Sequence, residues 1–161
     1  MLPSEDVALA VFALLDALKV GSPPLVVTTS RVIQPAAQVP ADAMPAIFQV
    51  QNGFVPDPMT RQLGGMVARI MMFEWFVYVA ANPTDANPAS TALNQIVDAA
   101  VNQIPVQFDD GSGAVPFTVD TVPCPIWWEP DVIYMEAVPG VSNVSIARIE
   151  VKVKVPPAFP A

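Results

Sequence analysis

The chain has 161 residues, 53% of them apolar and only 14% charged, with a net charge of -8 and no histidine. The length suits one domain with a sizeable core, and the acidic balance excludes tight nucleic-acid binding through clustered lysine and arginine. An ordinary soluble domain carries roughly 25% charged residues, so the surplus apolar surface must meet a membrane, a permanent interface or an aggregate.

The first predicted element is a helix. Ser4 stands at the N-cap position, Glu5 and Asp6 complement the positive end of the helix dipole, and Val7, Val11, Leu14, Leu15 and Leu18 recur at helical spacing. Gly21 and Pro23-Pro24 end it. The β-branched run Leu25 to Ile33 predicts a strand. The proline-punctuated Gln34 to Pro45 has no periodicity and predicts an extended surface loop. A second strand begins at Ala46 and is expected to end at the turn signal Asn52-Gly53, with a further bend at Asp57-Pro58.

The central strand is predicted from about Met66 to Ala80. One parity carries Val67, Met71, Phe73, Trp75, Val77 and Val79, the other Ile70, Met72, Phe76 and Tyr78 around Glu74. Two apolar faces mark a strand covered on both sides, by helices or by neighbouring subunits. After it, Asn87 and Pro88 supply a helix start, and Leu93, Ile96, Val97, Ala100, Val101 and Ile104 give an amphipathic helix stopped by Pro105. Gln107 to Gly113 reads as a turn-rich loop, Val115 to Val119 as a short strand, and Cys124 to Val138 as an edge strand kinked by Pro125 and Pro130. In the last strand Ile149, Val151, Val153 and Val155 alternate with Arg148, Glu150, Lys152 and Lys154. Val144 and Ile146 have the opposite parity, which implies a bulge near Ala147. The tail from Pro156 to Ala161 is proline-rich and is read as a flexible end. The fold class expected is α+β: a single domain over residues 1–161, with a mainly antiparallel or mixed sheet packed by two helices and long proline-rich loops.

A membrane span needs about 20 mainly apolar residues. Asp16 cuts the first apolar run and Arg69 and Glu74 cut the second, while Glu5 and Asp6 precede the first lysine in the reverse order of a secretory signal. A protein made and kept in a cytoplasm, with no membrane partner, is the expectation.

Few constellations for chemistry are left. Without histidine there is no Ser-His-Asp or Cys-His pair, and with Cys124 as the sole cysteine there is no zinc set and no internal disulfide. Cys124, far in sequence from any basic residue, reads as a packing thiol. No phosphate-cradling glycine loop with lysine occurs. Asp109 to Gly113 lacks the alternating carboxylates of a calcium loop and reads as a turn. Glu129 with Asp131 could be imagined as an acid/base pair, but ion pairing is favoured, with Glu74 paired to Arg69 or Arg148. No catalytic residue, metal or cofactor is assigned. Trp127 and Trp128, adjacent on a strand, point to opposite faces, so that one indole enters the core and the other meets a partner. Replacing Trp128 with alanine is expected to weaken assembly and leave the subunit folded. Together with Tyr134, Phe108 and Met44 these tryptophans form the candidate assembly interface.

The segment "WFVYVAANP" followed by "LNQIVDAAVNQI" resembles the strand-then-helix core of the tail-terminator, or tail-completion, proteins of long-tailed bacteriophages. The order of elements resembles that family over most of the chain. The resemblance implies a structural virion protein, not an enzyme, assembled in the host cytoplasm. It would form a hexameric ring, of about six subunits, that caps the head-proximal end of the tail tube, ends its polymerisation and docks the head connector. The partners implied are copies of the chain, the tail tube protein and the head-tail connector or stopper protein, with DNA passing through the lumen without sequence-specific contacts. The alternatives are another neck component, such as a connector or stopper, and a small-ligand-binding domain built on Trp127, Trp128 and Tyr134.

Overall fold

The computed structural model describes residues 2–62, 67–80, 88–105, 116–138 and 142–157. The architecture is α+β in a single domain. Helix α1 (Ser4–Asp16) runs on into a 3-10 turn at Ala17–Lys19. Pro3, not Ser4, occupies its N-cap position, and no side chain caps it. Strand β1 (Thr28–Ser30) is much shorter than Leu25 to Ile33. The residues on either side are held elsewhere: Val26 donates its N–H to the carbonyl of Leu18 at 3.1 Å, and Arg31 turns away to pair with Glu5.

Strand β2 (Ala46–Pro56) does not end at Asn52-Gly53. It continues through a bulge between Gln51 and Gly53, where Gly53 has φ +104°. Glycine reaches that conformation at little cost, so the turn signal marks a bulge inside one strand and not a hairpin. The bend at Asp57 opens a short helix α2 (Pro58–Gln62) that the sequence pattern did not indicate. Asp57 Oδ1 accepts the N–H of Met59 at 3.1 Å, the Asx arrangement that starts a helix.

Strand β3 (Arg69–Ala80) is followed by helix α3 (Ala89–Asn102), the latter with Pro88 at its N-cap position; Asn87 lies outside the described residues. Two-residue strands β4 (Thr118–Val119) and β5 (Val122–Pro123) form a small hairpin. The kinked edge predicted around the tryptophans is two strands, β6 (Ile126–Trp128) and β7 (Ile133–Met135). The last strand, β8 (Val144–Val155), pairs with β3 along its whole length. The large sheet has the order β1-β2-β3-β8-β6, with β7 also on β8; β1 lies parallel to β2 and every other pair is antiparallel.

One face of this sheet carries the main core. Phe73, Trp75 and Val77 of β3 and Ala147, Ile149, Val151 and Val153 of β8 are fully buried with Val7, Val11 and Leu15 of α1 and Leu93, Ile96 and Val97 of α3. Each of the valine, leucine, isoleucine and phenylalanine side chains contributes about 1.5–3 kcal/mol when fully buried. Both helices therefore lie on the same face, at the positions their periodicity assigns.

The other face, here called the outer face, is covered at one end only among the described residues. Gln34 to Pro45 is not an extended surface loop. Pro35 and Pro40 start two 3-10 turns, Ala36–Gln38 and Ala41–Ala43, which fold the segment onto the sheet and bury Val39 and Met44 against Ala46, Phe48 and Tyr78. This second cluster also explains Val144 and Ile146. The alternation of β8 is unbroken and carries no bulge at Ala147. The two residues sit on the outer face and still find apolar neighbours there. Ser145 fits the inner face because its hydroxyl accepts the N–H of Ala137 at 2.9 Å.

Candidate assembly surface

The outer face beyond the second cluster is apolar in its middle and ionic along one side. Ile70 and Met72 of β3 are half-buried, and Val55 of β2 is 41% exposed; Phe76, also half-buried, packs against the second cluster. No described helix lies over them. Beside them β8 places Arg148, Glu150, Lys152 and Lys154 on the same face, because their partners in register, Phe76, Glu74, Met72 and Ile70, are the outward residues of β3.

Each of these cations is neutralised locally. Arg148 pairs with Glu74 at 3.1 Å, Lys152 with Glu129 at 2.8 Å and Glu150 at 3.3 Å, and Lys154 with Asp57 at 2.6 Å. The hydrogen bond from Lys152, helped by one from Trp127, holds the Glu129 carboxyl below the usual carboxylate range, and Glu129 in turn raises Lys152. Lys154 lowers Asp57 in the same way, assisted by the backbone of Met59. These carboxylates are engaged as charges. Glu129 is held by Lys152 and Trp127, and Glu74 by Arg148.

The two tryptophans part as strand geometry requires. Trp128, in register with Val151, packs on the main core; Trp127, in register with Lys152, lies on the outer face and donates from Nε1 to Glu129 at 3.2 Å. Both indoles are half-buried, Trp127 on the outer face and Trp128 against the main core. Tyr134 is 43% exposed on β7, and burial, then the nearby Asp98 of α3, pushes its hydroxyl pKa up. Met44 is 7% exposed inside the second cluster and presents almost no surface. Phe108 lies outside the described residues, as does the loop from Asp109 to Gly113.

The edges of the sheet hold what the sequence pattern did not single out. Every residue of β7 is exposed, Ile133 and Met135 at 50% and 60%. Around β1, Val27, Val32 and Ile33 are exposed as well. The signal for β7 was its place between Pro130 and Pro139-Gly140, a segment too short to cover itself; for β1 no signal distinguished exposed from buried valines.

Cys124 is buried, and burial pushes its thiol pKa up, which makes it inert at neutral pH. Among the described residues, no three of histidine, cysteine, aspartate and glutamate are grouped to hold a metal ion. No described helix is long and apolar enough to cross a membrane. A cavity of about 500 Å³ opens between the folded-back segment and the start of β8, lined by alanines, Val39, Met44, Asn143 and Val144; it contains no ionisable side chain.

Comparison with protein-family models and with curated protein sequences gives no match to this chain.

Proposed function

We propose that this chain is a structural subunit of a tailed-phage virion: a ring-forming terminator that caps the head-proximal end of the tail tube and receives the head connector. The observation that carries the reading is the outer sheet face, whose apolar middle, Ile70 and Met72 beside Val55, is left half-buried or exposed in a chain with 14% charged residues. A ring subunit has neighbours on its flanks and other rings above and below, and such contacts cover apolar surface that a monomer leaves wet. The titratable groups are consistent with this reading, since the described cations of β8 on the outer face are tied into ion pairs. The two segments that resemble the terminator family, β3 and α3, pack against each other in the main core. The neutralised cations of β8 and the net charge of -8 suit a passage that DNA traverses without adhering.

Electron microscopy of the purified chain with and without tail tubes tests this. Rings of about six copies seated at one end of each tube are the expected result. Rings that ignore tubes and bind connector complexes would move the chain to another place in the neck, and monomers that bind neither would overturn the reading.

A further inference from the structure

We propose that Asn52 is a site of spontaneous covalent modification, at which the folded chain converts its own asparagine into aspartate and isoaspartate. The reaction uses only water and the backbone nitrogen of the following residue, so its site is set by what that residue is. Six asparagines occur in the chain. Asn82 and Asn87 precede proline, whose nitrogen carries no proton and cannot attack. Asn94 lies inside α3, where intrahelical hydrogen bonds hold the backbone nitrogens, and Asn102 ends it, with the N–H of Gln103 donated to the carbonyl of Ala100 at 3.1 Å. Asn143 precedes Val144, whose branched side chain crowds the nitrogen. Asn52 alone precedes a glycine.

The structure gives Asn52 the access and freedom that the attack requires. It is exposed and belongs to the bulge of β2: Gln51 is in register with Phe73 and Gly53 with Met72, so Asn52 is the residue left over, with no partner in β3. The ladder that fixes the backbone of a paired residue is interrupted at this one. Gly53, at φ +104°, stands open. Beyond its chain neighbours, no atom lies within 4 Å of where a Cβ would be, which leaves room beside the glycine for the asparagine side chain to swing toward its nitrogen.

The Gly53 amide gives up its proton to solvent, and its nitrogen attacks Cγ of Asn52. A C–N bond forms, the Cγ–Nδ2 bond breaks, and Nδ2 leaves as ammonia with a proton from water. Water then opens the cyclic imide. Opening at Cγ leaves aspartate in the ordinary backbone; opening at the backbone carbonyl carbon leaves isoaspartate, whose backbone runs through the former side chain and gains a methylene. Each route consumes one water and releases one ammonia, with no change of oxidation state. Both products add a negative charge to a chain already at -8. The extra backbone atom enters where the ladder is already broken, so the flanking pairs keep their register and the modified subunit stays folded. Older copies thereby come to differ in charge from new ones at one point of the sheet.

The test incubates the full chain, folded and in urea, in the same mildly alkaline buffer, and follows peptide masses and released ammonia over time. In the folded chain the peptide holding Asn52 is expected to gain the mass that separates an acid from an amide and to resolve into two products on a column. The expected rate lies within about tenfold of that in urea, a difference in barrier of about 1.4 kcal/mol. Global unfolding cannot supply this rate, because the unfolded fraction of a native chain is about one in a thousand or less. Asn143, also exposed but followed by valine, stays intact, Asn52→Ser abolishes the ammonia release, and the modified chain keeps the circular dichroism of the parent. A folded chain that keeps Asn52 intact while the chain in urea loses it would overturn the proposal. So would ammonia release undiminished in Asn52→Ser, or products that form only as the dichroism is lost.

Discussion

The indole Nε1 of Trp75 donates to Gln49 Oε1 at 3.1 Å, while Gln49 Nε2 donates to the carbonyl of Ala8 at 2.9 Å. Gln49 is 2% exposed and Trp75 is fully buried. One amide therefore satisfies the indole and ties β2 and β3 to the middle of α1, in a core that is mostly apolar. Because each partner orphans the other when removed, the pair behaves as a unit. Gln49→Leu is expected to destabilise by about 2–3 kcal/mol, and Trp75→Phe by a comparable amount. The double variant should lose about 1 kcal/mol less than the sum. Urea unfolding of the four proteins gives this cycle, and strict additivity would deny the coupling.

The neighbouring tryptophans separate stability from association. Trp128→Ala removes a ring that packs on the core and is expected to cost about 2–3 kcal/mol, below the full value for a wholly buried aromatic. Trp127→Ala loses one partly exposed hydrogen bond and should cost under about 1 kcal/mol. Its effect is expected in assembly, read by sedimentation of folded protein. A Trp127 variant that assembles like the parent would take the outer face at β6 out of the interface.

The hairpin of β4 and β5 turns through Asp120 and Thr121, with φ of 48° and 68°. Two successive positive φ values are those of a type I′ turn, for which glycine is preferred at the second position. Threonine is β-branched and strained there. Thr121→Gly is expected to stabilise the chain by about 1 kcal/mol, measured by the shift in the urea midpoint at unchanged slope.

Acid should weaken the fold in a narrow window. Glu5, Asp57 and Glu129 are each held below the ordinary carboxylate range, by hydrogen bonds from Arg31, Lys154 and Lys152 respectively. The folded chain thus binds these protons less readily than the unfolded one. Their contribution is complete above about pH 4–5 and is lost as the pH falls through the lowered values. With no histidine in the chain, the melting temperature is expected to stay level between about pH 5.5 and 8 and to drop below about pH 4. Asp57→Asn should make that acid limb shallower, and a melting curve unaltered by this substitution would show the ion pair to be idle.

Much of the fold was readable because period and burial agree. The three- and four-residue steps of α1 and α3 and the alternation of β8 from Arg148 onward describe the faces that meet in the main core. The misreadings share a cause. Asn52-Gly53 is a hairpin signal locally, but β3 offers a continuous partner past it, and the strand bulges and goes on. Val144 and Ile146 looked out of phase because a second apolar cluster on the outer face was invisible until Gln34 to Pro45 folded back over Phe48 and Tyr78. Of the candidate interface, adjacency alone separated Trp127 from Trp128. Which of them faced outward depended on the register of β6 against β8, and such registers are set by contacts far apart in the chain. Met44 looked exposed because proline-rich segments usually are.

β8 lies between β3 on one side and β6 and β7 on the other, yet it follows all three in the chain. During synthesis the hairpin of β2 and β3 can zip as soon as both strands leave the ribosome, but the far side of β3 then stays bare, and β6 and β7 have nothing to pair with. The keystone of the sheet arrives after the stones it locks. Until it does, the nascent chain displays the open backbone of β3 to its surroundings, which makes this interval the point at which a chaperone would be most useful and at which premature contact with another unfinished copy would be most damaging.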